Sequence, residues 1–207
     1  MEKIEKISVS GTKIIDITRE LSAKTEVWPG DRPFQLHKQA THEQGDGYEL
    51  SWLEMSLHAG THVDFPRHIL KSGRQSTDYG VERFLLPVRV HDPACVSEID
   101  CRHIPVRTGE IRALLLKGRD TWLSDCAARL VAEYGYSLFG TEAMSVDKRD
   151  SDHFPAHRTL LSNDIPIVEN LDLSGVEPGE YLLIVMPLKI VEAEAAPARC
   201  ILIQQPV

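Results

Sequence analysis

The stretch HAGTHVDFPRH at positions 58–68 carries the strongest chemical pattern in the chain. It contains three histidines and one aspartate around a glycine, with a proline two positions after the aspartate. A single histidine among the nine in the chain is usually a surface or hydrogen-bonding residue. Four potential metal ligands in so short a stretch are much harder to explain in that way. We therefore interpret the segment as a binding site for a divalent cation.

The spacing of these side chains predicts a bent strand. His62 and Asp64 lie four and six residues after His58. Even offsets place side chains on one face of a strand, whereas a helix would turn the aspartate away from both histidines. In a straight strand the two histidine backbones would stand about 13 Å apart, too far for bonds of about 2 Å to one ion. Gly60 lies between them and allows the chain to bend, so we expect the three side chains to surround a cation.

The ligand types indicate hydrolytic chemistry. Imidazole and carboxylate ligands without a thiolate suit zinc or manganese, and iron as well. Two or three protein ligands leave coordination positions open for water, and a cation lowers the pKa of that water to about 7, which supplies hydroxide at neutral pH. Asp64 has two oxygens and can bridge two cations. His68, with an ordinary pKa near 6.5, is predicted to act as a general acid or base.

Composition limits the class of protein. A chain of 207 residues, 42% of them hydrophobic and 26% charged, fits one domain over residues 1–207 with a buried core. A net charge of −8 with scattered basic residues argues against nucleic-acid or anionic-membrane partners. The N-terminus is charged with no apolar run behind it, and the most apolar stretch, 181–188, is too short to span a bilayer. We expect a cytoplasmic protein with reduced thiols, and neither a metal nor a disulfide at Cys95 and Cys101.

The hydrophobic pattern predicts more strand than helix. One helix is expected over 121–134, capped by Asp120 or Thr121 and ended by Gly135, and a shorter one within 151–162, interrupted early by Pro155. The predicted strands cover 13–17, 48–52, 85–91, 111–117, 166–169, 180–188 and 199–204. Strands and helices do not alternate regularly, which disfavours a doubly wound nucleotide-binding fold. The absence of GxGxxG, GxxxxGK[ST] and GxSxG motifs disfavours phosphate-binding loops and a serine hydrolase.

Residues 58–68 resemble the HxGTHxDxPxH signature of the cyclase family, which is best known through bacterial kynurenine formamidase. Five shorter segments are similar to further family motifs and occur in the same order: DIT at 16–18 with LS at 21–22, VWPGD at 27–31, GTEAMSVD at 140–147, VENL at 168–171 and MPLK at 186–189. The histidine signature is specific, and the shorter matches support it. The resemblance extends over nearly the whole chain.

The resemblance implies a compact α/β domain with a barrel-like mixed β core and flanking helices. It also implies a homodimer or homotetramer in which neighbouring subunits line the pocket, and two metal ions per subunit. Carried over residue by residue, it implies the following set: His58, His62 and Asp64 at the first ion, Asp64 shared with a second ion held also by His157 and Glu169, and His68 as the catalytic histidine.

The reaction implied by the resemblance is hydrolysis of N-formyl-L-kynurenine to L-kynurenine and formate, a step of tryptophan degradation. His68 would protonate the leaving aryl amine. Trp28 and Phe65 would offer ring faces to the substrate, although each could equally pack in the core. Small departures from the family pattern, at Ala59, Phe65 and 190–197, bear on pocket shape and hence on substrate. The alternatives are a hydrolase of another cyclic or aryl amide such as isatin, and a non-catalytic, metal-stabilised binding protein.

Overall fold

The computed structural model describes residues 12–94 and 96–204. The strands are β1 (Lys13–Asp16), β2 (Gln35–Ala40), β3 (Leu50–Glu54), β4 (His62–Asp64), β5 (Leu85–His91), β6 (Glu98–Ile99), β7 (Ala113–Leu116), β8 (Trp122–Leu123), β9 (Leu138–Thr141), β10 (Ile167–Glu169), β11 (Gly179–Pro187) and β12 (Ala195–Gln204). The α-helices are α1 (Asp125–Glu133) and α2 (Pro155–Ser162). Short 3-10 turns, including Pro66–His68, connect them.

Seven strands close into a mixed barrel. Their order is β4-β12-β11-β5-β7-β9-β10, and β10 pairs again with β4. The neighbours β5, β7, β9 and β10 run parallel, whereas the other pairs are antiparallel. Strand β1 joins β12 outside the ring. The predicted barrel-like mixed core with flanking helices is confirmed.

Alternation along the strands separates two apolar cores. One fills the barrel and contains Val63, Phe65, Leu115 and Val168. The other lies between the barrel and the helices and contains the neighbouring strand residues Leu114, Leu116, Phe139 and Ile167 together with residues of α1 and α2. Successive residues of a strand face opposite sides, so residues that alternate with Val63 and Phe65 face away from the barrel interior. This places His62 and Asp64 on the outer side, where α2 also packs.

The two helices begin at local signals. Ser124 caps α1, because its Oγ accepts the backbone N–H of Ala127 at 3.2 Å. The predicted caps at 120–121 are wrong, since residues 122–123 are extended in β8, which pairs with β6. Gly135, with φ +74°, follows the helix end as predicted. Pro155 begins α2 rather than interrupting it, because the first turn of a helix does not need the missing N–H.

Most predicted strands are present within two or three residues of the expected bounds, but β2, β6, β8 and β9 were not predicted. The strand predicted as half-buried at 48–52 is β3. Among the described residues it pairs with β2 alone, and it leaves Trp52 51% and Leu53 57% exposed. These two strands, residues 35–54, are called the arm below. The arm stands outside the barrel sheet.

Two further predictions concern cysteines and membranes. The sulfur atoms of Cys101 and Cys126 are paired as a disulfide, with Cα atoms 5.6 Å apart, which corrects the prediction that all thiols are reduced. The 3-10 turn at Cys101–His103 packs against α1, and this brings the two residues together. Cys95 lies outside the described residues. Among the described helices, none has the length and apolar content needed to cross a membrane.

Candidate metal centre

The bend at Gly60 brings the three predicted ligands together. Gly60 has φ +68°, and a Cβ at this position would meet the Leu21 side chain at 2.6 Å. His58 therefore lies in the turn before β4, while His62 and Asp64 lie within the strand. The Nδ1 atom of His58 is 2.9 Å from Asp64 Oδ1 and 3.3 Å from His62 Nε2. The spacing allowed a kinked strand or a turn, and the structure shows a turn at His58 that leads into the strand.

Strand pairing adds Glu169 to this group. β10 is antiparallel to β4, and Glu169 is directly opposite His62 in the register. Its Oε2 lies 3.6 Å from His62 Nε2, and its Oε1 accepts the backbone N–H of Val146 at 2.8 Å. Both side chains are buried. The long-range pairing of two strands thus places this glutamate among the histidines.

Helix α2 supplies His157 from the other side. Its Nε2 lies 3.3 Å from Asp64 Oδ2 and 3.4 Å from Glu169 Oε1. Its Nδ1 lies 2.7 Å from Oδ2 of Asp147. The same carboxylate accepts two backbone N–H groups, that of Ala156 at Oδ1 and that of His157 at Oδ2. With Nδ1–H donated to Asp147, the lone pair of Nε2 is directed at the two carboxylates.

Asp147 is a functional candidate that the sequence reasoning did not single out. It is buried and holds both the first turn of α2 and the ring of His157. The available signal was an aspartate in the segment before a Pro-initiated helix, because acidic side chains favour helix N-termini.

His68 lies at the edge of the cluster. It ends the 3-10 turn Pro66–His68, and its backbone N–H donates to Phe65 O at 2.9 Å. Its ring centroid is 4.4 Å from that of His58 and 5.5 Å from that of His157. The ring also lines the cavity described below. It is therefore in reach of a molecule that enters the cavity.

Mutual charge sets the protonation of the metal-free cluster. Burial opposes protonation of His58 and His157, but neighbouring carboxylates outweigh it and raise the pKa of His58 to about 9 and of His157 to about 10. Burial and the Asp64 carboxylate raise the pKa of Glu169 to about 7. Burial, together with the cationic imidazoles nearby, lowers the pKa of His68 to about 4 despite the opposing effect of Asp64. In the metal-free protein at neutral pH, His58 and His157 are therefore cationic and His68 is neutral.

The donor set fits a cation. Asp64 Oδ1 is buried and accepts no hydrogen bond from the described residues, although His58 Nδ1 is only 2.9 Å away. His62 Nδ1 lies 2.9 Å from Gly60 O, so its N–H is donated there and the Nε2 lone pair remains available. Two sets of possible ligand atoms each lie within 4.8 Å of one another, and both include Asp64: His58, Asp64 and His68; His62, Asp64 and Glu169. An unsatisfied carboxylate oxygen among imidazole lone pairs is a good position for a divalent ion.

A cavity of about 150 Å³ opens above this cluster. Its lining includes Trp28, His58, His68 and Phe154. Phe65 does not line it, because the alternation that directs Asp64 outward directs the next residue into the barrel. There the Phe65 ring is fully buried, 5.4 Å from that of Tyr79. The expectation that Phe65 contacts substrate is corrected on this ground, whereas Trp28 lies where a substrate contact requires it.

A closed mixed barrel with an outward-facing imidazole and carboxylate cluster beside an open cavity defines an α/β protein with a candidate metal centre. The chain belongs to the cyclase family, whose description is "Putative cyclase" and whose sequence pattern matches residues 15–148.

Three similar proteins extend over nearly the whole chain. The kynurenine formamidase of Salinibacter ruber is 38% identical to this chain, and the match spans 93% of this chain and 98% of the relative. A solved structure described as a potential metal-dependent hydrolase with cyclase activity has a TM-score of 0.80 at 25% identity, covering 94% of this chain and all of that one. Isatin hydrolase A from Labrenzia aggregata shares the fold, with a TM-score of 0.82 at 21% identity and coverage of 97% and 96%.

Proposed function

We propose that this protein is a metal-dependent amide hydrolase that converts N-formyl-L-kynurenine to L-kynurenine and formate. The observation that carries the proposal is the convergence of imidazole and carboxylate groups on the unsatisfied Asp64 oxygen beside an open cavity. The 38% identity to a kynurenine formamidase over almost the full length supports the choice of substrate.

The proposed ligands are the side chains that meet at Asp64: His58, His62, Asp64, His157 and Glu169. Asp64 belongs to both possible ligand sets, which favours two ions that share it. Zinc and manganese suit these donors. A divalent cation bound here would polarise the formyl carbonyl and lower the pKa of a coordinated water.

His68 is the proposed general acid and base. Its ring lines the cavity, and in its neutral form it can take a proton from the water that attacks the formyl carbon. The same ring then gives that proton to the aryl nitrogen while the C–N bond breaks, which releases formate and the aryl amine. Trp28 lines the cavity and offers an apolar face to the substrate ring. Asp147 keeps His157 in the orientation that directs its Nε2 toward the carboxylates.

We further propose that the arm mediates assembly into a homodimer or homotetramer. It leaves large apolar side chains exposed: Leu36, Tyr48, Leu50, Trp52 and Leu53. A two-stranded hairpin is marginally stable alone in water, and large apolar side chains exposed on such a hairpin favour contact with a protein partner. A second copy of the chain that covers the arm would bury these side chains and stabilise the two strands. Location in the cytoplasm stays a prediction.

The proposed function is tested by metal analysis of chelator-free protein combined with a formamidase assay. His62→Ala and Asp64→Ala should lose metal and hydrolysis of N-formyl-L-kynurenine together. His153→Ala removes an exposed histidine that lies outside both the proposed ligand set and the arm, and it is the matched control. If the two site variants keep the wild-type metal content, the proposed ligand set is wrong.

Substrate choice is tested separately. Isatin is the alternative substrate, and parallel turnover measurements on the same metal-loaded protein rank it against N-formyl-L-kynurenine. Higher kcat/KM for isatin would reject the formamidase assignment and keep the metal site. A metal-replete protein with no amidase activity would support the non-catalytic alternative.

A further inference from the structure

A second, larger cleft adjoins the metal centre. It has a volume of about 640 Å³, and Trp28, Met144 and Ser145 line both this cleft and the small cavity above the histidines. Pockets for ligands of metabolite size generally span about 300–1,000 Å³. The small cavity of about 150 Å³ therefore holds only part of such a molecule, and the remainder extends into the cleft.

Barrel topology explains why charged loops surround the cleft. β7 and β9 are parallel neighbours, so their carboxyl ends lie at the same end of the barrel. The turn at 119–120 follows β7, and residues 143–150 follow β9. Gly118, with φ +115°, permits the first of these turns. The two loops both provide charged residues to the lining of one cleft, which also contains Trp28 and Trp122.

Most charges in this lining already neutralise one another. Arg119 lies 2.6 Å from Glu26, and Lys148 lies 3.1 Å from Asp150. Asp147 is bonded to His157. Within the described part of the chain, two charged residues of the lining, Asp120 and Arg149, form no ion pair and no side-chain hydrogen bond. Both are exposed.

One free cation and one free anion at the same cleft match a zwitterion. We propose that Arg149 binds the α-carboxylate and Asp120 the α-ammonium of an amino-acid head group, while the reacting amide lies at the metal centre. The inference rests on the proposed function and specifies it, since it requires an aryl formamide that carries an α-amino-acid chain. Arg149 and Asp120 are then residues that determine specificity, because they contact the part of the substrate remote from the reacting carbon.

The test pairs charge removal on the enzyme with charge removal on the substrate. The variants are Arg149→Gln and Asp120→Asn, and Arg112→Gln is the control, since Arg112 is exposed and unpaired among the described residues but lines a different pocket. The substrates are N-formyl-L-kynurenine, its analogue without the amino group, and 2-formamidoacetophenone, which lacks the whole head. kcat and KM are measured for each pair on metal-loaded enzyme.

Arg149→Gln should lower kcat/KM about 10-fold for both carboxylate-bearing substrates, mainly through KM, and leave 2-formamidoacetophenone within about twofold. Asp120→Asn should affect only the substrate with the amino group. High salt should reduce both effects, because the pairs are exposed. Equal losses on all three substrates, or no loss on any, would overturn the proposal.

Binding of the product L-kynurenine, measured by calorimetry, separates this inference from the proposed function. If 2-formamidoacetophenone is hydrolysed but Arg149→Gln binds L-kynurenine as tightly as wild type, the head-group site is wrong and the formamidase remains. If no formamide is hydrolysed but L-kynurenine binding weakens in the variant, the head-group site stands and the proposed reaction fails.

Discussion

Asp147→Asn tests how the second helix and the metal centre depend on one buried carboxylate. Oδ1 of Asp147 accepts the N–H of Ala156 at 2.8 Å, and Oδ2 accepts the N–H and Nδ1–H of His157 at 3.0 and 2.7 Å. An amide of the same shape has one NH₂ group in place of an oxygen. Whichever way it is turned, a donor then faces a backbone donor.

Two effects add in this variant. Loss of a buried hydrogen bond to a charged group costs about 1.5–3 kcal/mol. Loss of the negative charge at the N-terminus of α2 costs about 0.3–1 kcal/mol. We expect the free energy of unfolding of the metal-free protein to fall by about 2–4 kcal/mol. Metal affinity should fall about 10–100-fold, because His157 loses the group that orients its ring.

Urea denaturation in the presence of a chelator measures the stability loss, and competition with a chromophoric chelator measures metal affinity. Asp152→Asn is the control, since it makes the same chemical change at an exposed position of the same segment. Activity of Asp147→Asn should recover as the metal concentration is raised, under conditions where the denaturation curve shows that the metal-free variant is already folded. If both variants behave alike in stability and in metal affinity, Asp147 does not organise the site.

Three further predictions concern pH, the aromatic residues and the arm. Coordination requires neutral imidazoles, so the raised pKa values of His58 and His157, about 9 and 10, predict proton release on metal uptake at pH 7 and a metal affinity that rises from pH 6 to 9; titration calorimetry in two buffers checks this, and a pH-independent affinity would contradict it. In the metal-free protein, the stabilisation by these two groups is complete below about pH 6.5 and is lost as pH rises through 9–10, which denaturation at several pH values checks. Phe65→Leu should lower the free energy of unfolding by about 1–3 kcal/mol and leave KM unchanged, because Phe65 is buried in the barrel, whereas Trp28→Leu should raise KM and leave stability unchanged, because Trp28 lines the cavity. The reverse pattern would show that Phe65, and not Trp28, contacts the substrate. Leu53→Glu in the arm should dissociate the oligomer in light scattering without loss of bound metal, and an unchanged molar mass would move the interface elsewhere.

Local sequence was sufficient for several parts of this protein. The spacing of His58, His62 and Asp64 around Gly60 predicted a bent strand, because the strand repeat and the bond lengths to an ion allow few other arrangements. Helix α1, apart from its start, and five barrel strands were recognised from the hydrophobic pattern: β5, β7, β10, β11 and β12. The same alternation also predicts that Phe65, the residue after Asp64, faces the barrel interior. The prediction that Phe65 contacts substrate did not take this into account.

Other strands and caps depended on neighbours. β9 contains Gly140 and carries little strand signal of its own, but its backbone groups pair with β7 and β10 inside the barrel. A Cβ at Gly140 would lie 2.4 Å from the Leu115 side chain, so close packing explains the glycine. The start of α1 was misplaced because β6 keeps residues 122–123 extended. Neither effect is visible within a local window of sequence.

The sequence by itself brought together the first three proposed ligands and indicated the chemical class, since those side chains lie within seven residues and their geometry is local. Tertiary structure decided the rest of the centre. Glu169 lies among the histidines because β10 pairs with β4, and His157 because α2 packs against the outer face of the barrel. Each is about a hundred residues from Asp64 in the chain. The tertiary fold brings His157 close to both Asp64 and Glu169. Asp147 and the paired charges of the cleft became recognisable for the same reason, because their partners are chosen by packing rather than by spacing.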